Sequence, residues 1–391
     1  MKTKIVRQFT VMAFLLRAAP AFFFATYQLF LTEHGLNILE ISLINSAYMI
    51  SVFVLEVPTG AFADSYGRRQ SIIWGCLILS LSFIGYFFAN NFLGFILAEI
   101  VGALGSCLIS GALEAWVVDA LEEEKIDEPL ETLFKREEVY KQYGVISGSI
   151  AGALIGSINL GIPWLLSGLA MLLAALYARR LKCDAKHKHK NFKFDLTPLR
   201  NTITESWHSG RTNPAFLRLA ATGTVLAMSV QSLNMQWPIL FNQRFDLPIW
   251  SLGLIFAGIA AFTALGARFA PLAARKSRHE GHSLAIALLI TGVMMILSGQ
   301  ASFVAPALLF FLLHELGRGL FSPLKKAMIN RRIDGQNRAT MLSLDSMALS
   351  AGAFIGLVGG GWLGTQSIAL AWTVSGLLLV SLFPLLYKKG I

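Results

Sequence analysis

The sequence predicts an all-α membrane protein that crosses the bilayer twelve times, with both termini in the cytoplasm. Three observations lead to this prediction. Long apolar runs recur along the whole chain, only 14% of the 391 residues are charged, and Lys and Arg collect in alternate links between the runs. An average soluble domain carries about 25% charged residues, so the composition argues against a water-soluble fold.

Twelve apolar runs have the length of a membrane span, because a hydrocarbon core about 30 Å thick requires about 20 helical residues. The predicted spans are residues 9–33, 38–62, 70–89, 92–120, 138–159, 162–181, 214–242, 248–271, 281–300, 303–322, 340–362 and 367–387. The first run follows a basic segment, as in a signal peptide, but it continues past residue 30 and contains Arg17 and Pro20. It is therefore predicted to be an uncleaved first helix.

The distribution of basic residues predicts the orientation of the chain. With the amino terminus inside, the outward links contain one basic residue, Arg244, whereas the inward links hold clusters such as residues 68–69 and 125–141. Cytoplasmic loops of membrane proteins collect Lys and Arg. The net charge of +10 is therefore attributed to topology and not to a nucleic-acid partner.

The longest polar stretch, residues 179–214, divides the spans into six and six. We expect an N-terminal six-helix bundle over residues 1–181, a cytoplasmic linker over residues 182–213 and a C-terminal six-helix bundle over residues 214–391. Alternating Lys and His at 186–190 are interpreted as solvated linker, with a metal site or an anionic-lipid contact as alternatives. Two of the three cysteines lie in apolar runs, so neither a disulfide nor a metal site is expected.

A loop motif follows the second span, where the chain reads Gly60-Ala61-Phe62-Ala63-Asp64-Ser65-Tyr66-Gly67-Arg68-Arg69. Its Gly, Asp, Gly and Arg residues have the spacing GxxxDxxGRR. The small Gly60 lets helices approach, and Gly67 permits a tight turn. Asp64 can pair with the two arginines across neighbouring helix ends. Such a charge cluster is suited to latching one conformation.

The two halves of the chain share patterns that indicate an internal repeat. After span 8, Gly266 and Arg275 keep the spacing of Gly60 and Arg69, although Ala270 replaces the acid. Spans 5 and 11 both carry glycine stripes: Gly144, Gly148, Gly152 and Gly156 in the first, and Gly352, Gly356, Gly359, Gly360 and Gly361 in the second. Small residues at such spacing let membrane helices pack closely.

The motif, the twelve spans and the parallel repeat together resemble the major facilitator superfamily of secondary transporters, over nearly the whole chain. The resemblance implies two six-helix bundles around a central cavity that opens alternately to each side. It also implies a cytoplasmic conformational latch of seven residues: Gly60, Asp64, Gly67, Arg68, Arg69, Glu114 and Asp119. The alternative is that these charges only decorate an inner interface. Span 5 lacks the Gly-Pro element that drug and proton antiporters of the superfamily usually carry.

Ionisable side chains inside a membrane cost about 2.5 to 3.5 kcal/mol each on insertion scales, so by default they face a cavity, a partner or a transport path. Five are predicted to bind protons or substrate: Arg17, Glu99, His314, Glu315 and Arg318. Glu315 and Arg318 share one face of span 10, and an arginine that moves between states would make Glu315 load and release a proton. A snorkelling Arg17 and a static, charge-compensated span 10 are the alternatives.

Polar residues of spans 1 and 7 are predicted to line the cavity, by resemblance to the first helices of major facilitator half-repeats. They are Tyr27, Gln28, Gln231, Asn234, Gln236 and Trp237. Interhelical packing and an aromatic belt at the outer interface are the alternatives. Asp345 lies near an inner loop, and a structural pairing is predicted for it.

The sequence contains no phosphate-binding Gly-x-x-x-x-Gly-Lys-Ser/Thr loop, nucleophile elbow or metalloprotease His pair, so neither an enzyme nor an ATP-driven pump is expected. The resemblance implies a monomeric, cofactor-free transporter of the cytoplasmic inner membrane, with a small-molecule substrate, protons and the lipid bilayer as partners. The leading expectation is proton-coupled export of a small amphipathic drug or secreted metabolite. The alternatives are proton-coupled import of an organic nutrient or metal chelate, and a lipid flippase or receptor on the same scaffold.

Overall fold

The computed structural model describes residues 2–182, 214–277, 280–332 and 338–389. Within these ranges the chain forms helices and no β-strand. Except for Lys182, the predicted linker over residues 182–213, with its Lys and His run, lies outside the described residues. The all-helical fold predicted from the sequence is confirmed for the part of the chain that the structure describes.

Eight helices form the N-terminal half: α1 (Lys2–Phe24), α2 (Tyr27–Glu33), α3 (Ile38–Tyr66), α4 (Arg68–Phe88), α5 (Phe92–Ile109), α6 (Ala112–Glu123), α7 (Leu130–Gly156) and α8 (Ile162–Ala178). The first predicted span is thus divided between α1 and α2, and the fourth is divided between α5 and α6. Gly111 makes the second break with a φ of 68°, and Gly67 makes the turn from α3 to α4 with a φ of 97°. Glycine adopts such angles at no steric cost.

The helices of the C-terminal half are α9 (Pro214–Ile239), α10 (Ile249–Lys276), α11 (Glu280–Gln300), α12 (Val304–Arg332), α13 (Arg338–Gln366), α14 (Ile368–Ser381) and α15 (Phe383–Lys389). A single π-helical turn, Leu240–Arg244, continues α9. Pro238 stands just before this turn, and the missing N–H of a proline disturbs the regular hydrogen-bond ladder.

Nine helical segments among the described residues are long and apolar enough to cross a membrane. Two further helices, α8 and α14, are apolar but shorter. The first half of α7 is rich in charged residues, and α7 is in neither group. The protein is therefore a multi-pass membrane protein, whereas the count of twelve crossings and the cytoplasmic position of both ends stay predictions.

The chain separates into two compact units. Unit 1 comprises Met1–Gly35, Ala47–Leu196 and Pro248–Ala257, and unit 2 comprises Leu36–Ser46, Thr197–Leu247 and Gly258–Ile391. Each unit contains most of one predicted bundle. The first residues of α3 are grouped with unit 2, and those of α10 are grouped with unit 1.

Each unit has a seam where a glycine stripe meets a neighbouring backbone. In unit 1, α7 packs along α1, and a Cβ placed on Gly152 would lie 1.8 Å from the Phe22 carbonyl oxygen. In unit 2, α13 packs along α9, and a Cβ on Gly356 would lie 2.0 Å from the Met228 carbonyl oxygen. The close approach predicted from the glycine stripes is therefore present in both halves, in matching register.

Candidate functional site

A cluster of polar side chains lies at the contact between α10 and α12 in unit 2. A Cβ on Gly266 would lie 2.1 Å from the Leu316 carbonyl oxygen, and one on Gly319 would lie 2.1 Å from the Thr263 carbonyl oxygen. Only glycine permits backbones to approach this closely. The contact brings the Thr263 hydroxyl next to Glu315, where it donates a 2.9 Å hydrogen bond to Oε2.

Glu315 is paired with a cation on its own helix. Arg318 Nη2 lies 2.7 Å from Glu315 Oε2, and the Glu315 side chain is only 1% exposed. Residues three apart share a helix face, which is why the two charges meet. The structure thus brings together the carboxylate and guanidinium that the sequence placed on one face of span 10.

His314 joins the same cluster. Its ring is fully buried, and Nε2 lies 3.4 Å from Glu315 Oε1 without a hydrogen-bond partner of its own. The other ring nitrogen, Nδ1, contacts the carbonyl oxygen of Phe311. Adjacent residues of a helix point in different directions, so only Glu315 and Arg318 were predicted to share a face of span 10. The edge of the His314 ring nevertheless also faces the Glu315 carboxylate.

Arg318 extends the cluster to α9. Its Nη1 donates to Asn234 Oδ1 at 3.4 Å, and Asn234 Nδ2 donates to Gln231 Oε1 at 3.2 Å. The Arg318 side chain is 28% exposed, unlike that of Glu315. We call Gln231, Asn234, Thr263, Glu315 and Arg318 the unit 2 polar network. It joins two predicted lining residues to two predicted coupling residues.

The other two predicted lining residues of α9 have the surroundings of packing residues. Gln236 is fully buried, and its Nε2 donates to the Gly360 carbonyl oxygen at 2.7 Å. Trp237 is buried with its ring centroid 5.8 Å from that of Phe311. These contacts match interhelical packing, the alternative that the sequence left open.

A second buried carboxyl lies in unit 1, where α2, α4 and α5 meet. The hydroxyl of Tyr27 donates to Glu99 Oε1 at 2.9 Å, and that of Tyr86 donates to the same oxygen at 2.6 Å. Glu99 is 9% exposed. The structure therefore unites Glu99 with the predicted lining residue Tyr27, and it adds Tyr86, which the sequence analysis did not single out.

Aromatic rings surround this carboxyl. The Trp164 ring stacks between those of Phe23, at 3.9 Å and 8°, and Tyr86, at 4.0 Å and 4°. Trp164 is fully buried on α8. We call Tyr27, Tyr86, Glu99 and Trp164 the Glu99 cluster.

The remaining predicted residues of span 1 lie apart from the Glu99 carboxyl. Gln28 is buried on α2. Arg17 is exposed on α1, beside Gly144 of α7, and makes no ion pair with a described residue. The structure thus gives Arg17 a position compatible with the snorkelling alternative.

The predicted latch is only partly assembled. Arg68 Nη2 lies 2.5 Å from Asp64 Oδ1, whereas Arg69 Nη2 donates to the Arg179 carbonyl oxygen at 2.7 Å. Arg179 caps the carboxyl end of α8, where a cation interacts favourably with the helix dipole. Nothing among the described residues lies within 4 Å of a Cβ placed on Gly60.

Glu114 and Asp119 do not meet these arginines in the structure. Glu114 Oε1 lies 3.1 Å from Lys141 Nζ, and Lys141 also lies 2.5 Å from Glu137 Oε1. Asp119 is half-buried on α6. Glu114 instead has a cation from α7 beside it, because Lys141 lies within ion-pair distance. Burial raises the pKa of Glu137, which precedes the predicted fifth span, to about 6.

Unit 2 contains a buried ion pair of which only one partner, Asp345, was predicted from the sequence. Lys325 Nζ lies 2.7 Å from Asp345 Oδ1, and the two side chains are 5% and 13% exposed. A Cβ on Gly223 would lie 2.0 Å from Lys325 Nζ, so the small residue of α9 makes room for the lysine. The structural pairing predicted for Asp345 is present. Its partner Lys325 lies beyond the predicted span 303–322 and was therefore assigned to a loop, but α12 continues to Arg332.

Helices that are long and apolar enough to cross a membrane, with paired charged side chains in their interior, indicate a membrane protein with a functional polar site. A family model described as Major Facilitator Superfamily matches residues 9–130. The matched residues include the GxxxDxxGRR motif, so this part of the chain is similar to that superfamily. The relatives and solved structures that the chain matches are described as transporters or as resistance proteins.

One of three similar curated relatives is named as a transporter, and the other two are named as resistance proteins. The chain is 26% identical over 253 residues to the uncharacterized MFS-type transporter YxaM of Bacillus subtilis (strain 168), covering 63% of this chain and 61% of that protein's length. It is 24% identical over 355 residues to the class C tetracycline resistance protein of Escherichia coli, covering 87% and 85%. The multidrug resistance protein MdtH of Salmonella typhimurium is 22% identical over 330 residues, covering 83% and 78%.

Solved structures share the fold. The nucleoside transporter NupG superposes with a TM-score of 0.79 at 14% identity, covering 98% of this chain and 99% of that one. A bacterial homologue of the iron transporter ferroportin gives a TM-score of 0.76 at 16% identity, covering all of both chains. At these identities the likeness concerns the fold.

Proposed function

We propose that the protein is a secondary transporter of the cytoplasmic inner membrane that exports a small, amphipathic organic molecule in exchange for protons, by alternating access. The unit 2 polar network carries this proposal. It places amide, hydroxyl and guanidinium groups on three helices that are long and apolar enough to cross a membrane, where polar side chains are costly unless they serve a partner or a pathway.

The chemistry of the network favours a solute that is polar at one end and apolar elsewhere. Glu315 neutralises Arg318, so the network offers no net charge to a substrate. Gln231 and Asn234 supply amide donors and acceptors, and Arg318 remains partly exposed beside them. A few polar groups in an apolar setting bind by oriented hydrogen bonds plus apolar contact.

Export is the favoured direction because two of the relatives are named for resistance to tetracycline and to multiple drugs. The energy source is a gradient, since the sequence lacks a phosphate-binding loop for nucleotide hydrolysis. A monomer with two six-helix bundles, over residues 1–181 and 214–391, completes the proposal.

The test is transport by the purified protein in liposomes with a trapped pH dye. Tetracycline, other amphipathic drugs, nucleosides and metal chelates are applied in separate pools across an imposed pH difference. Proton flow opposite to the solute supports export by antiport. Proton flow in the same direction as the solute overturns it in favour of import, the alternative that the sequence left open.

Two variants connect the activity with the network. Asn234→Ala removes the hydrogen bonds to Gln231 and Arg318, and it should weaken uptake of the active solute about tenfold. Asn90→Ala, in the exposed link between α4 and α5, is the matched control and should transport normally. Equal activity of the two variants would place the substrate site elsewhere.

A further inference from the structure

We propose that Glu99, held by the hydroxyls of Tyr27 and Tyr86 in unit 1, carries the coupled proton, while the buried Glu315 keeps its ion pair with Arg318 throughout transport. The inference rests on the proposed proton-coupled function and names the group that performs it. It also separates the proton site from the unit 2 polar network that binds the solute.

Glu99 has two neutral hydrogen-bond partners. Both hydrogen bonds to Oε1 come from neutral phenol groups, at 2.9 and 2.6 Å, and neither partner brings a positive charge. A buried carboxylate without a counter-charge is costly, so the protonated form is accessible. Two phenol donors also make the ionised form tolerable. A group that exists in both forms can take up and release a proton.

In the part of the chain that the structure describes, the titratable and charged groups on the neighbouring helices do not supply Glu99 with an ion pair. Besides the two phenols, these groups include Arg17 of α1, His34 directly after α2, Tyr48 of α3, Cys76 of α4 and Cys107 of α5. His34 Nδ1 contacts the Phe30 carbonyl oxygen at 2.8 Å, and the Tyr48 hydroxyl donates to Ser106 Oγ at 3.0 Å. None of the basic side chains forms an ion pair with Glu99 among the described residues.

The surroundings of Glu99 are closely packed. The Trp164 ring lies 3.9 Å from the Phe23 ring and 4.0 Å from the Tyr86 ring, which are contact distances for stacked aromatic groups. Tyr86 also holds the Glu99 carboxyl, and Glu99 is itself only 9% exposed. Such a buried carboxyl is better suited to a proton than to an organic solute.

Glu315 differs from Glu99 because it has a charged partner. It has a guanidinium at 2.7 Å and a hydroxyl donor at 2.9 Å on the same oxygen. Protonating it would break the ion pair and leave the Arg318 charge uncompensated. Its charge is therefore better suited to holding Arg318 in place for the solute.

The experiment separates proton coupling from solute binding. In liposomes, Glu99→Gln should abolish proton flow driven by the solute but keep exchange of labelled for unlabelled solute at equal pH. Glu315→Gln should lose both the proton flow and the solute exchange. Glu33→Gln, an exposed carboxyl at the end of α2, is the control and should behave like the wild type.

A second measurement guards against a merely structural role. Tyr27→Phe and Tyr86→Phe each remove one donor to the ionised carboxyl. Each should move the pH midpoint of transport upward by about one unit, because one hydrogen bond is worth about one pKa unit. Unmoved midpoints in both variants would contradict the inference.

The outcomes remain distinguishable from failure of the proposed function. Solute transport by the wild type without any proton flow would overturn proton coupling itself. Coupled transport by the wild type and also by Glu99→Gln would overturn only the assignment of the proton to Glu99. Loss of exchange in Glu99→Gln would place Glu99 in solute binding and would likewise overturn it.

Discussion

Lys141 and Asp345 occupy equivalent positions in the two halves of the chain and carry opposite charges. Lys141 stands seven residues before Gly148 of one packing seam, and Asp345 stands seven residues before Gly352 of the other. Each pairs with a residue of the preceding helix, Lys141 with Glu114 and Asp345 with Lys325. The two halves therefore carry an ion pair at the same distance before the seam glycine, with opposite polarity.

The buried pair in unit 2 should be sensitive to the loss of one partner. Asp345→Asn leaves the Lys325 charge uncompensated, so we expect a loss of about 3 to 5 kcal/mol in stability. The exchange of both residues, Lys325→Asp with Asp345→Lys, should recover most of it, because unit 1 holds the opposite polarity at the same place. Thermal unfolding in detergent measures both effects.

The control for that prediction is Lys135→Gln, a substitution at an exposed lysine of α7. Surface substitutions away from buried charges usually change stability by less than about 0.5 kcal/mol, so its unfolding temperature should hardly change. An exchanged pair that is no more stable than Asp345→Asn would argue against the equivalence of the two positions.

The glycine seams predict where a single methyl group disrupts the fold. Gly152→Ala and Gly356→Ala each place a Cβ about 2 Å from a neighbouring carbonyl oxygen, so the paired helices must separate. We expect a loss of about 3 kcal/mol or more. Gly359→Ala is the matched control, since nothing among the described residues lies within 4 Å of its Cβ. Helix propensity predicts a neutral or slightly stabilising effect there.

Arg318 should not be replaceable by lysine. Arg318→Lys keeps the charge opposite Glu315 but loses the second nitrogen that reaches Asn234, so the KM for the solute should rise about tenfold. Arg136→Lys, on the exposed part of α7, serves as the control. An unchanged KM in Arg318→Lys would mean that only the charge of the guanidinium is used.

The pH dependence of stability should contain a contribution from Glu137. Burial raises the pKa of this carboxyl to about 6, above its ordinary value of 4.5, so the folded state holds the proton more tightly than the unfolded state. The resulting stability is fully present below pH 4.5 and is lost as the pH rises through about 6. Glu137→Gln should therefore become more stable relative to the wild type across this window. Glu138→Gln, at an exposed neighbour, should not.

The spacing of residues along the sequence predicted contacts between side chains of the same helix. It did not predict most of the contacts between different helices. Glu315 and Arg318 are three residues apart, so their pairing follows from helix geometry alone. Tyr86 and Trp164 reach Glu99 from other helices, and a helix that is apolar all round gives no hydrophobic face from which to infer its neighbours.

Two breaks between helices could not be predicted from hydropathy. The chain stays apolar across Ala25 and Thr26 and across Ser110 and Gly111, so each pair of helices was predicted as one span. Backbone geometry, and not composition, divides them. Similarly, Glu114 was predicted to join Arg68 and Arg69 in one latch at the cytoplasmic ends of the helices. In the structure its neighbour is Lys141, which the sequence did not identify as a partner.

The pairing of Glu315 with Arg318 has an electrical consequence. A membrane potential does about 2.3 kcal/mol of work on one elementary charge per 100 mV, but it does almost none on an adjacent pair of opposite charges that moves together. The voltage across the membrane therefore neither drives nor resists a movement of this pair. Transfer of a proton through Glu99, or a charge on the solute itself, would make the transport cycle respond to the membrane potential.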